Sequence, residues 1–384
     1  MSDIAPLPDA SSAGLPVTLL TGFLGSGKTT VLNGLLRHEG MARTAVIINE
    51  FGEIGLDHQL VASAKDEMIL LKSGCLCCTV KGDLIEALRR LFLQRMRGDI
   101  PEFDRVVIET TGLADPAPII HTLMADPLVA ARYRLDGVVT TVDAACGMDT
   151  LDNHEEAVKQ VAMADRLLLT KTDVATSDSR AAIEARLRAL NPAATVVPVV
   201  DGAVDPGILL GLGLFDPASK SADVARWLQA EAYDHDDHHG HDHEHEHDHD
   251  HGHHHHDPNR HDDRINAFCF TFDQPVEPFA FESWLNVLTS FRGPNLLRIK
   301  GIVNLAGHDR PVAIHGVQHL FHPAVELPAW PGEDRRSRIV FITRDLDRAV
   351  IADTFAAFTG TEPMADQNGA YDPRLGGLAA LPEG

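Results

Sequence analysis

The chain has 384 residues, 44% of them hydrophobic, enough for two domains with separate cores. Its formal net charge of −23, from 56 Asp and Glu against 33 Lys and Arg, argues against a nucleic-acid partner, which needs a basic surface. No apolar run approaches the ~20 residues of a membrane-spanning helix, so no membrane partner is expected.

Residues 1–14 hold two aspartates and no basic stretch ahead of an apolar one, so they read as a flexible leader and not a secretory signal. Pro16 to Thr21 is a short apolar, β-branched run that predicts a buried parallel strand. It feeds Gly22-Phe23-Leu24-Gly25-Ser26-Gly27-Lys28-Thr29, with Thr30 behind, a full match to the phosphate-binding G-x-x-x-x-G-K-[ST] loop. Thr29 to Arg37 then predicts a helix with Val31, Leu32, Leu35 and Leu36 on its inner face. In such a loop Gly22, Gly25, Ser26 and Gly27 let backbone N–H groups cradle the β-phosphate at a helix N-terminus. Lys28 is expected to reach the β- and γ-phosphates, and Thr29 to offer its hydroxyl to Mg²⁺. A chance glycine-rich turn would not explain both the strand before and the helix after.

From Arg43 to Val200 short apolar strands alternate with helical stretches. Strands are expected at 44–49, 67–71, 105–109, 136–142, 166–170 and 195–200, and helices at 81–97, 153–164 and 178–190. The alternation implies an α/β domain over 15–215, a mostly parallel sheet with helices on both faces. Ligands in such sheets bind beyond the carboxyl ends of the strands, where the P-loop lies.

Asn49-Glu50-Phe51-Gly52-Glu53-Ile54-Gly55-Leu56-Asp57 carries three carboxylates on a glycine-containing loop. It is a candidate switch ordered by γ-phosphate and Mg²⁺, with Glu50 and Asp57 as candidate metal ligands; the alternative is an ordinary acidic surface loop. Ser73-Gly74-Cys75-Leu76-Cys77-Cys78-Thr79 follows. Its three thiols form a compact set of soft ligands for Zn²⁺ or a similar ion, to which Glu50, His121 or a partner side chain could add a fourth. Buried structural cysteines, or a redox pair of Cys75 and Cys78, are the alternatives. Cys146 and Cys269 are isolated and read as core residues. Five cysteines and no export signal suggest thiols in a reducing cytoplasm.

Val106-Val107-Ile108-Glu109-Thr110-Thr111-Gly112 has the form of a Walker B segment, with Glu109 supporting Mg²⁺ directly or through water and Gly112 offering its N–H to the γ-phosphate. Thr170-Lys171-Thr172-Asp173 resembles the guanine-reading N-K-x-D element. Asp173 would accept from guanine's ring N–H and amino group, a donor pair that adenine lacks, and Lys171 would lie along the base. Thr170 stands where Asn is usual.

In this order GFLGSGKTT, NEFGEIGLD, SGCLCC, ETTGLADP and TKTD resemble the CobW-like GTPases, and the likeness covers most of the chain. The resemblance implies a P-loop GTPase using GTP and Mg²⁺, acting as a metallochaperone that hands Zn²⁺, or alternatively Co²⁺, to a client metalloprotein. Cobalt delivery for cobalamin synthesis, nitrile hydratase activation and a metal-sensing GTPase regulator stay open beside it, as does a homo-oligomer.

Residues 216–263 read as a linker. Fourteen of the 22 histidines fall between His235 and His261, interleaved with acids, a composition too polar for a core and able to hold divalent ions weakly. Beyond it, strands are expected at 265–272, 296–305, 311–320 and 338–343, with helices at 279–288 and 346–358. That order predicts a small α+β domain over 264–360. Leu297-Arg298-Ile299-Lys300-Gly301 and His315-Gly316-Val317-Gln318-His319 resemble the CobW C-terminal domain. Residues 361–384 read as a flexible tail.

Overall fold

The computed structural model describes residues 14–48, 69–72, 80–210, 212, 264–322, 324–330 and 333–363. The first unit is built on a seven-stranded parallel sheet in the order β3-β2-β4-β1-β5-β6-β7. Its strands are β1 (Leu15–Gly22), β2 (Thr44–Ile48), β3 (Ile69–Lys72), β4 (Arg105–Glu109), β5 (Tyr133–Asp143), β6 (Arg166–Thr170) and β7 (Thr195–Pro198). β1 lies between β4 and β5, so the loop leaving it sits at the centre of the sheet's carboxyl edge. β2 is buried along its whole length, which suits a strand covered on both faces.

Helix α1 (Lys28–Leu36) covers one face, burying Val31, Leu32 and Leu35 against Leu20, Val107 and Leu168. Each such side chain contributes about 1.5–3 kcal/mol. The other face is covered by α2 (Val80–Arg97), α3 (Ala117–Ala125), α5 (Gly147–Asn153), α6 (Glu155–Ala162) and α7 (Ser177–Leu190), with the short α4 (Pro127–Ala130) after α3, while α8 (Pro206–Leu209), after β7, adds Leu209 to the α1 face.

The second unit is an antiparallel sheet in the order β11-β10-β9-β13-β8, with β12 also paired to β10. Its strands are β8 (Ile265–Phe272), β9 (Leu296–Val303), β10 (Val312–Val317), β11 (Leu320–Phe321), β12 (Val325–Glu326) and β13 (Ser337–Arg344). Helices α9 (Pro278–Arg292) and α10 (Arg348–Thr359) pack an aromatic core of Phe270, Phe272, Trp284, Phe341 and Phe355 onto it.

Leu297, Val317 and Ile342 of the second sheet share a core with Ile119, Leu123 and Ala162 of the first unit. A charged cluster seals the same seam. Asp165, just before β6, pairs with Arg298 and Lys300 of β9, and all three side chains are under 10% exposed. Its other oxygen accepts from Val138 N at 2.8 Å. Burial alone would raise the Asp165 pKa, but the Arg298 and Lys300 charges hold it far below the usual carboxylate range.

Four sequence expectations change. The helix expected at 153–164 runs over 155–162 as α6, and α5 before it was not expected: between the two His154 takes an extended conformation (φ −134°, ψ 107°) and stacks its ring on Phe23 at 4.3 Å. No Gly or Pro marks that break. Helix α3 was hidden by Pro116 and Pro118, which the first turn tolerates since its N–H groups have no intrahelical acceptor. The strand expected at 311–320 is a hairpin turning at Gln318, whose φ is +54°. Cys146 is exposed and not a core residue, whereas Cys269 is buried.

Candidate nucleotide site

The P-loop folds as its glycines demand. Gly22 has φ +141°, and a Cβ there would lie 2.2 Å from Thr141 Oγ1. Gly27 is the left-handed N-cap of α1 (φ +90°), so the chain turns abruptly and the helix's first N–H groups open onto the loop. Ser26 Oγ donates to Phe23 O at 2.7 Å and lies 2.7 Å from Thr141 Oγ1, tying the loop to β5. Gly25 is exposed at the tip, and Thr30 on the outer side of α1.

Lys28 is 8% exposed, and its ammonium donates to Gly22 O at 2.8 Å and Phe23 O at 3.0 Å. Phosphate oxygens can take over such contacts with charge-assisted bonds. Thr29 Oγ1 donates to Glu109 Oε1 at 3.4 Å, across the groove between α1 and β4. A hydroxyl facing a buried carboxylate is a hard-oxygen pair that fits Mg²⁺. Gly112 lies directly against the P-loop: a Cβ there would sit 2.6 Å from Leu24 N.

At the end of β6, Thr170 Oγ1 donates to Ser26 O at 2.7 Å and approaches Val142 O at 3.1 Å, fastening the turn after β6 to the P-loop. Lys171 follows with φ +55° and pairs with Asp143 at 2.5 Å. Asp173 is exposed on the turn beyond.

Comparison with known proteins fits this geometry. Residues 16–198 match the CobW/HypB/UreG nucleotide-binding domain, and residues 265–359 match the cobalamin synthesis protein CobW C-terminal domain. The chain is 34% identical over 342 residues to the zinc chaperone YjiA of Escherichia coli K12, covering 89% of this chain and 98% of that protein. It belongs to the CobW-like P-loop GTPases. The zinc chaperone CobW of Pseudomonas aeruginosa is 32% identical over 386 residues, 90% of this chain and 92% of that one. The crystal structure of Zn(II)-bound YjiA GTPase superposes with a TM-score of 0.65 at 30% identity, covering 90% of this chain and 99% of that one.

The structure brings Gly22, Gly25, Ser26, Gly27, Lys28, Thr29, Glu109, Gly112, Thr170 and Lys171 of this GTPase to one edge of the sheet, with Thr30 and Asp173 at its rim. Glu50, Asp57, Cys75, Cys77 and Cys78 lie outside the described residues, as do the histidine run, the leader and the tail. Among the described residues no group of three or more His, Cys, Asp or Glu side chains is placed to hold a metal ion, and no helix is long and apolar enough to cross a membrane.

Two residues escaped the sequence reading. Asp143 ends β5, where its Oδ1 accepts from Ala145 N at 2.8 Å and Cys146 N at 3.1 Å, while its Oδ2 holds Lys171. Burial would raise its pKa, but the Lys171 ammonium and the two N–H groups keep it below the usual value. The other is Gln160 of α6. Both line a cavity of about 250 Å³ beside the P-loop, walled by Phe23, Leu24, Leu151 and Val161. An acid closing a strand, two residues before a backbone turn, was the one available signal for Asp143. Nothing local marks Gln160.

Proposed function

We propose that this GTPase is a cytoplasmic zinc metallochaperone. Cys75, Cys77 and Cys78 bind Zn²⁺, with Glu50 or Asp57 beside them, and the ion passes to a client metalloprotein under control of the bound nucleotide. The observation that carries this reading is the likeness along nearly the full length of two proteins named zinc chaperones, joined to a complete P-loop frame in this chain. Those names favour zinc over cobalt as cargo.

The residues divide the work by their chemistry. Lys28 and the N–H groups around Gly25, Ser26 and Gly27 hold the phosphates, with Gly22 and Thr30 shaping the two ends of the loop. Thr29 and Glu109 hold Mg²⁺, which neutralises charge on the transferring phosphoryl group. Gly112 N–H senses the γ-phosphate. Asp173 reads guanine, Lys171 leaves Asp143 to lie along the base, and Thr170 keeps that segment on the P-loop. Because the cysteine motif falls between the acidic loop and Walker B in sequence, loss of the γ-phosphate alters cargo affinity. By linkage, cargo then alters nucleotide affinity by the same factor. The histidine run between His235 and His261 serves as a weak metal reservoir.

Transfer of Zn²⁺ to a chromogenic chelator tests the reading. The reduced, zinc-loaded protein should release its ion several-fold faster while it hydrolyses Mg-GTP than with a non-hydrolysable analogue. Equal rates would reject nucleotide-controlled transfer.

A further inference from the structure

Helix α6 grips the loop that follows the Walker B acid. Gln160 is fully buried, and its amide nitrogen donates to Gly112 O at 3.1 Å and Ala114 O at 2.9 Å. Two carbonyl acceptors fix the orientation of the amide, since the reversed group would set oxygen against oxygen twice. Oε1 is then buried with no hydrogen-bond partner among the described residues, an expense that an apolar side chain of the same shape would avoid. One residue earlier, Lys159 Nζ lies 3.7 Å from Asp115 Oδ2 of the same loop.

The clamp has a firm base and a firm opposing wall. Thr140 Oγ1 of β5 donates to Gln160 O at 2.8 Å, and Glu155 at the start of α6 pairs with Arg344 of β13. On the far side Gly112 rests on the P-loop main chain at Leu24, too close for any side chain. The turn is held between the Gln160 carboxamide and the loop that receives the phosphates.

We propose that Gln160 is a positioning residue for GTP hydrolysis: its two N–H groups hold the Gly112 turn against the P-loop, so that the Gly112 N–H is preset for the γ-phosphate. The proposal rests on reading Gly112 as the γ-phosphate donor. Gln160 itself does not touch the nucleotide. A preset donor needs no reorganisation as charge develops on the transferring group, so losing the clamp slows hydrolysis. GDP has no γ-phosphate, so its binding is indifferent to the clamp.

The test uses full-length protein with Mg²⁺ and three variants. Gln160→Met keeps the side-chain length and has no donor. Gln160→Glu keeps the shape and one donor while protonated. Gly112→Ala pushes the turn off Leu24. For Gln160→Met, kcat and the preference for a non-hydrolysable GTP analogue over GDP should each fall about tenfold, with GDP affinity within about twofold of wild type. Gln160→Glu should fall between the two and worsen as pH rises and the acid ionises. Wild-type kcat and preference in both Gln160 variants, or equal weakening of GDP and analogue, would overturn the clamp. If Gln160→Met does not fold, the Glu variant and its pH profile decide alone. A Gly112→Ala protein with unchanged preference would overturn the Gly112 reading, and the proposal with it. Loss in Gly112→Ala without loss in the Gln160 variants would overturn the clamp alone.

Discussion

Two places in this molecule hold paired or enclosed charge, and they do so for opposite ends. At the carboxyl edge of the parallel sheet, Lys28 rests on its own loop's carbonyls and Lys171 on Asp143. These contacts are the ones that the proposed triphosphate and base would displace. At the seam between the two sheets, Asp165 is enclosed by Arg298 and Lys300 and hydrogen-bonded to Val138 N. No ligand is needed to satisfy it. The same residue types thus serve chemistry where their partners can be displaced, and cohesion where they cannot.

The largest effect that separates the two places is on hydrolysis. Lys28→Ala should lower GTPase kcat by about a thousandfold, since it removes a charge aimed at the transferring phosphoryl group. Its thermal unfolding should stay close to wild type. A large fall in unfolding temperature would mean that Lys28 also holds the fold together.

Asp165→Ala should show the reverse pattern. It leaves Arg298 and Lys300 buried without their shared carboxylate, and breaking a buried ion pair from one side costs about 3–5 kcal/mol. Denaturant unfolding should shift accordingly, while nucleotide affinity in the folded protein stays near wild type. Weak GTP binding with undiminished stability would place Asp165 in the ligand machinery instead.

Thr170→Val sharpens the boundary. The substitution is nearly isosteric and removes the hydroxyl that joins Ser26 O to Val142 O. GTP affinity should fall about tenfold, from one lost buried hydrogen bond. Unchanged affinity would show that the segment after β6 needs no fastening to the P-loop.

Acidification should act on the seam. Burial keeps His315 neutral well below its ordinary pKa and lowers His322 to about 4. The two rings stack at 5.4 Å beside Arg298 and Lys300. In the unfolded chain both imidazoles bind protons below about pH 6.5, where the folded protein does not. Their contribution to stability is therefore full above that pH and is lost as pH falls from about 6.5 to 4. His322→Gln should flatten the unfolding-temperature profile across that window. An unchanged slope would remove His322 as a cause.

The legibility of the sequence follows the same division. The P-loop, Glu109 at the end of β4 and the Thr170-Lys171-Thr172-Asp173 segment at the end of β6 could be placed at the sheet's carboxyl edge because each is a local pattern: a few consecutive residues set a backbone shape or close a strand. The parallel sheet was legible for a related reason, since a strand covered on both faces is a continuous apolar run. Gln160 and Asp165 were not legible, because their partners lie 48 and 133 residues away in the chain and only the packed fold joins them. The break at His154 was hidden for the same reason, since the ring that residue stacks on is Phe23 of the P-loop. Thr170 shows the converse: an apparent departure from the usual Asn supplies a hydroxyl that reaches the P-loop at 2.7 Å.

The central claim is that one chain couples a guanine nucleotide to a zinc ion. Competitive titration of the reduced protein with Zn²⁺ and Co²⁺, in Mg-GTP and then in Mg-GDP, tests it most directly, with Cys77→Ala as the control. The account predicts a tight site that prefers Zn²⁺, needs Cys77 and changes affinity with the nucleotide. A site indifferent to both the cysteine and the nucleotide would contradict it.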